Sequence, residues 1–179
     1  MRKAIALLVF VILLLCSGNL FSQNTALPAA PSYPYAKAYL SFIIPWVTIS
    51  KTTTTEFQSA TTIGFPVGLM VYSSKTFGFS YEITPSIAAS KPTKGKGTSK
   101  TSNLLFDPGP VFRFTHGWNV IARLAFETQG RYGFTPVLNK VYARTKAVDY
   151  WFSVSTPVRF GNSIPASIGG SLQIGFTFN

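Results

Sequence analysis

Along most of the chain, apolar residues recur at every second position. Between Ser167 and Phe178 one face carries Ile168, Gly170, Leu172, Ile174, Phe176 and Phe178, and the other carries Ser167, Gly169, Ser171, Gln173, Gly175 and Thr177. A period of two belongs to a β-strand, because successive side chains point to opposite faces. Thr62–Tyr72 repeats it with Ile63, Phe65, Val67, Leu69 and Val71, and Phe77–Ala89 with Phe77, Phe79, Tyr81, Ile83, Pro85 and Ile87. Leu104–Thr115, Asn119–Thr128 and Tyr150–Phe160 alternate in the same way. Ala36–Ile49 is β-rich, with an ambiguous alternation. The pattern thus predicts seven strands and an all-β fold.

The face opposite the apolar one separates two architectures. A soluble sandwich shows water an outward face rich in Lys, Glu and Thr. Here that face is Gly, Ser and Thr with isolated charges. A transmembrane barrel puts its apolar face in lipid and its small polar face in the lumen, in segments of about ten residues. The segments are long enough to cross a bilayer when tilted. Aromatic residues at several strand ends suit interfacial girdles.

Composition points the same way. Hydrophobic residues make up 46% of the 179 and charged residues only 12%, about half the charged share of an ordinary soluble domain. One domain fills this length. Met1 to Ser22 reads as a secretory signal: Arg2 and Lys3 precede the apolar run Ala4–Leu15, which is too short to span a bilayer as a helix. The expected division is a signal peptide over 1–22, a short segment over 23–35 and a barrel domain over 36–179. The single cysteine, Cys16, falls within the signal, which excludes a disulfide scaffold, a Cys zinc site and a Cys nucleophile from the mature chain. Losing Arg2 and Lys3 lowers the formal charge from +11 to +9. For an exported chain this excess favours lipopolysaccharide phosphate or acidic polysaccharide over nucleic acid.

The last strand carries a further sign. Gln173-Ile174-Gly175-Phe176-Thr177-Phe178 resembles the terminal signal of bacterial outer-membrane proteins, an alternating strand ending in an aromatic, here followed by Asn179. The resemblance implies that Ile174, Phe176 and Phe178 are read by the barrel-assembly machinery. The mature chain as a whole resembles the small outer-membrane β-barrels of the OmpA/OmpX-like general type. This implies an antiparallel up-and-down barrel of eight strands in the outer membrane.

Seven strands conflict with that implication, because termini on one side need an even number. The best place for an eighth is Phe134–Arg144, inside the long connection 129–149. The other long polar connections are expected at 50–59 and 90–102, and short ones at 73–76, 116–118 and 161–165. With an eighth strand at 134–144, the short connection 161–165 falls on the outer side. Pro45, Pro66, Pro85, Pro108, Pro110 and Pro157 fall inside the proposed strands, where each removes a ladder donor. Bulges at one level of the wall would accommodate them.

Glu82, Asp107 and Glu127, with Arg113, Arg123 and Arg159, all fall on the small polar face. An eight-strand interior is just wide enough for side chains to fill, and charges there must pair. They predict either a structural plug of ion pairs or a narrow path lined by arginines. A three-residue turn around His116 sets Arg123 opposite Val111 or Gly109, within reach of Asp107 or Arg113, with Asp107 as the expected partner. Lys91, Lys94, Lys96 and Lys100 form a basic stretch with no acidic neighbour, either a solvated loop or a contact for lipopolysaccharide phosphates or acidic glycans. Thr52–Thr55 makes a second polar loop, and Gly130, Arg131, Tyr132 and Gly133 a structural turn.

No enzymatic motif stands out. His116 is the only histidine, placed in a tight turn, and no serine spacing, metal cluster or phosphate loop accompanies it. No cofactor is expected. Three functions remain open: a non-enzymatic barrel acting in envelope structure or surface contact, a narrow channel, and a secreted soluble β-protein holding an apolar ligand.

Overall fold

The computed structural model describes residues 32–51, 53–56, 62–89, 99–161 and 165–179. The twelve hydrogen-bonded runs among them join into one antiparallel sheet that closes as a ring of eight wall strands. We number these β1 (Tyr35–Ser50), β2 (Thr53–Glu56, Thr62–Gly64 and Val67–Tyr72), β3 (Phe77–Ala89) and β4 (Ser99–Phe106 and Gly109–Arg113). The others are β5 (Trp118–Glu127), β6 (Tyr132–Arg144), β7 (Val148–Ser155 and Val158–Phe160) and β8 (Ser167–Phe178). Each strand pairs with the next, and β8 closes on β1 from Tyr39↔Thr177 to Ser50↔Ser167. Among the described residues every wall strand has a neighbour on both sides, which a wall in lipid requires because hydrocarbon offers backbone groups no partner.

β6 is the eighth strand, and it removes the parity conflict. The expected long connection over 129–149 is instead a turn at 128–131, the strand, and a turn at 145–147. The expected loop at 50–59 also needs correcting. Thr53–Glu56 folds straight back on β1, with Ser50↔Thr53 and Val47↔Glu56 paired, and Lys51 takes a positive φ of 50° to make the turn. Four connections leave the end of the barrel opposite the chain termini, among them 161–166 and the segment preceding Ser99. The three at the terminus end, 73–76, 114–117 and 145–147, are all short. Short turns on the periplasmic side are the usual pattern for such barrels.

Prolines shape the wall in the expected way at some positions only. The β1–β8 register shifts between Pro45 and Val47, and the β3–β4 register shifts just after Pro85, between Ser86 and Ile87. Pro66, Pro108 and Pro157 sit at breaks between successive runs of one strand. Their carbonyls still accept bonds from Ser41, Leu124 and Gly169, so the ring stays connected across the breaks. Pro110 remains within a paired run, opposite Phe79.

The two faces match the alternation. On β8, Leu172 is 43% and Ile174 56% exposed, whereas Ser171 is 4% and Gln173 2% exposed. The exposed apolar set continues around the ring, with Leu40, Leu69, Ile83, Phe106, Leu124 and Leu138. An outer surface this apolar is one that lipid covers.

Candidate functional site in the barrel lumen

The inward face of every second residue builds the lumen, so side-chain size alone decides what fills it. Tyr39 projects inward from β1, which the ambiguous alternation there did not reveal. Its cross-strand partner is Gly68, where an added Cβ would lie 2.4 Å from the ring. The glycine is what lets the tyrosine lie against the wall. Trp151 uses Gly175 likewise, with 2.3 Å between the indole and a hypothetical Cβ. The two rings meet edge to face at 6.0 Å, and the Trp151 indole N–H donates to Thr177 Oγ1 at 2.9 Å. Met70, Tyr72, Val111, Ile121 and Val137 complete a buried apolar cluster in the half of the lumen nearer the termini.

The charges sit above this cluster. Arg123 Nη1 lies 2.9 Å from Glu82 Oε2, with both side chains almost fully buried. The Tyr39 hydroxyl donates to the same carboxylate at 2.8 Å, Thr84 Oγ1 donates to Oε1 at 3.2 Å, and Gln173 Nε2 donates to Ser41 Oγ at 2.8 Å. Glu82 is thus held by hydrogen bonds beyond the ion pair, as a buried carboxylate needs, while Arg123 Nε is left buried without a partner.

The partner expected for Arg123 was Asp107, and the structure corrects this. Ile121 pairs with Val111, which sets Arg123 opposite Gly109, as the turn geometry requires. Gly109 is paired in turn with Ser80 on β3. No side chain on β4 stands in the way, so the guanidinium reaches across to Ser80 Oγ at 3.4 Å and to Glu82. Asp107 lies instead at the break before Pro108, with Oδ1 buried and lacking a hydrogen-bond partner. Glu127 does find a cross-strand cation: Arg159 Nε donates to its Oε1 at 2.9 Å. Arg113 belongs to neither pair. It lies at the terminus end, 4.5 Å from the Tyr72 ring, and donates to the Tyr35 hydroxyl at 2.8 Å.

Between Glu82, Asp107, Glu127, Arg159 and the loop end lies a cavity of about 200 Å³. A second space of about 30 Å³ lies at the terminus end among Lys37, Arg113, Asn139 and Asp149. Tyr39, Val111 and Ile121, each at most 1% exposed, lie between the two. Thr135 Oγ1, Ser155 Oγ and Arg131 Nε are buried polar atoms without a partner, and all three residues line the larger cavity. A space of this size with such polar atoms in its wall accommodates water.

Lys91, Lys94 and Lys96 lie outside the described residues, and Lys100 falls within β4 rather than in a loop. His116 is exposed at φ 60° in the turn 115–117. The turn holds three residues, as expected, but starts one position earlier, with Phe114 bonded to Trp118. Among the described residues no group of three or more His, Cys, Asp or Glu side chains is placed to hold a metal. Arg131, expected only as part of a structural turn, donates to Ser167 Oγ at 2.6 Å across the cavity rim. Ile174, Phe176 and Phe178 all lie on the lipid-facing row of β8, with Tyr150 packed edge-on to Phe176 at 5.5 Å.

No family model and no curated protein sequence matches the chain. Solved structures do. Neisserial surface protein A, 14% identical, matches with a TM-score of 0.57 over 80% of this chain and 96% of its own. Ail, the attachment invasion locus protein of Yersinia pestis, is 7% identical, with a TM-score of 0.50 over 80% of this chain and 96% of its own. At such identities the likeness is one of fold.

Proposed function

Taking the chain as a small outer-membrane β-barrel, we propose that it is a non-enzymatic integral barrel with a lumen closed by side chains, serving envelope structure or surface contact. The observation that carries this reading is the layer across the lumen formed by Tyr39, Val111 and Ile121 with the Glu82–Arg123 pair on top of it. An ion entering from the loop end meets a fully buried tyrosine and two apolar side chains, and crossing would strip it of water. The barrel is exported by the signal at 1–22, which is then removed, and assembled through Ile174, Phe176 and Phe178. Surface contact falls to the basic stretch Lys91, Lys94, Lys96 and Lys100, whose charge suits lipopolysaccharide phosphate and would act in a salt-sensitive manner. The two solved structures similar in fold are named as a surface protein and an attachment invasion locus protein, which agrees with such a role.

The deciding experiment is single-channel recording of the refolded protein in a planar bilayer. The expected result is no conductance steps in the wild type and their appearance in Arg123→Ala or Ile121→Ala. Steady conductance in the wild type would transfer the protein to the channel reading.

A further inference from the structure

The rim at the chain termini is strongly one-signed. Among the described residues it carries Lys37, Lys75, Arg113, Lys140, Arg144 and Lys146, and Asp149 is the acidic residue set against them. Asp149 is already engaged, 3.4 Å from Lys37 and 3.9 Å from Arg144. Arg113 is turned into the lumen on Tyr72. One carboxylate thus serves two cations, and the excess charge concentrates on one side of the ring, on the β6–β7 hairpin.

Three features of that hairpin act together. The outward row of β6 runs Phe134, Leu138, Lys140, Tyr142, so Lys140 is the first charge below the lipid-facing belt. Two residues of strand rise put it about 7 Å farther along the tilted strand than Leu138, toward the termini. Its ammonium is held in place, 5.0 Å from the centre of the Trp118 ring and bonded to the His116 carbonyl. An ammonium has three donors, and the carbonyl takes one. Tyr142 continues the row and packs on Tyr150 at 6.5 Å and on Phe152 at 6.3 Å. This is an aromatic shelf of the kind that sits among headgroups. Arg144, opposite Asp149 at the mouth of the smaller space but with its side chain 59% exposed, and Lys146 in the turn lie at the next level toward the termini.

We propose that this face, built from Lys140, Arg144 and Lys146 around Trp118 and Tyr142, binds the phosphate of an anionic phospholipid in the leaflet at the chain termini. Charge sign, the place at the end of the apolar row and the aromatic neighbours all fit a lipid headgroup better than a soluble polyanion, which would have no use for a lysine at the edge of the apolar belt. The proposal rests on the membrane-barrel reading but not on the closed lumen.

The test is native mass spectrometry of the folded protein released from nanodiscs of phosphatidylethanolamine containing a minority of phosphatidylglycerol. Each basic residue near an anionic surface is worth about 1 kcal/mol, roughly fivefold in affinity. The wild type should therefore retain phosphatidylglycerol at least fivefold above its share. The triple variant Lys140→Gln, Arg144→Gln, Lys146→Gln should lose that preference, whereas Lys75→Gln, on the 73–76 turn, should keep it. Proportional retention by the wild type, an unchanged preference in the triple variant, or loss in Lys75→Gln alone would each overturn the assignment. Should the triple variant fail to fold, a salt series on the wild type decides, because a preference that survives high salt is not carried by these charges. Heat-modified gel mobility of the same samples reports the barrel separately, so loss of fold and loss of lipid binding are distinguishable.

Discussion

The two halves of the lumen share the same eight strands but are filled in opposite ways. Toward the termini, Tyr39, Met70, Tyr72, Val111, Ile121 and Trp151 pack into a buried cluster. Toward the loop end the inward positions include Thr48, Thr62, Gly64, Ser155 and Gly169 beside the charged Glu127, Arg131 and Arg159, and a cavity of about 200 Å³ remains. Wall geometry cannot explain the contrast, because strand number sets the diameter at both ends alike. Residue size does. The ion pairs follow the same division. Glu82–Arg123 lies at the boundary with side chains 2% and 3% exposed, and Glu127–Arg159 lies higher at 10% and 8%. A small barrel can thus be a packed core over half its height and a vessel over the other half.

The comparison breaks most severely at the boundary. Glu82→Gln or Arg123→Met strands the partner charge and should cost about 3–5 kcal/mol, read from the urea midpoint of heat-modified mobility. The double variant should cost less than the two singles together; additive losses would mean the pair is not coupled. Next in size is the wall itself. Leu172→Arg or Ile174→Arg near the midplane should cost about 2–4 kcal/mol, with Ser171→Arg better tolerated because it enters the lumen. Equal tolerance at the three positions would undo the assignment of faces. Glu127→Gln should cost about 1–2 kcal/mol, less than Glu82→Gln, because Arg159 keeps the Phe134 carbonyl at 3.2 Å and has the cavity beside it. Smallest is Asp107→Asn. The wild-type carboxylate already has an unpartnered buried oxygen, so the variant should hold its urea midpoint or raise it. A loss as large as that of Glu82→Gln would show that Asp107 has a structural partner after all.

Much of the wall was legible in the sequence, because a lipid-facing surface imposes a strict period of two. Phe77–Ala89 and Ser167–Phe178 have the bounds that alternation alone assigns. β6 was harder, since Lys140 and Asn139 break the contrast between its faces. The strand Thr53–Glu56 was hidden because four residues rich in threonine look like a loop until a partner is known. Within the lumen the charged positions could be read from parity, but their pairing could not. The Arg123–Glu82 contact crosses two strand boundaries and depends on a glycine between them. Trp151 and Ile121 did leave a trace, as large apolar residues on faces otherwise polar or small, whereas Tyr39 left none.

The proline breaks give the wall two mechanical regimes. Pro45, Gly64, Asp107 and Pro157, at or beside the interruptions, all line the cavity, whereas β5 pairs with β6 without interruption from Trp118↔Lys140 to Phe126↔Tyr132. A ladder with missing rungs opens locally at lower free energy than a continuous one. Amide protons around 64–67, 107–109 and 156–159 should therefore exchange faster than those of β5. The mouth of the barrel can then breathe around its cavity while the packed half stays shut, a soft lip on a rigid plug.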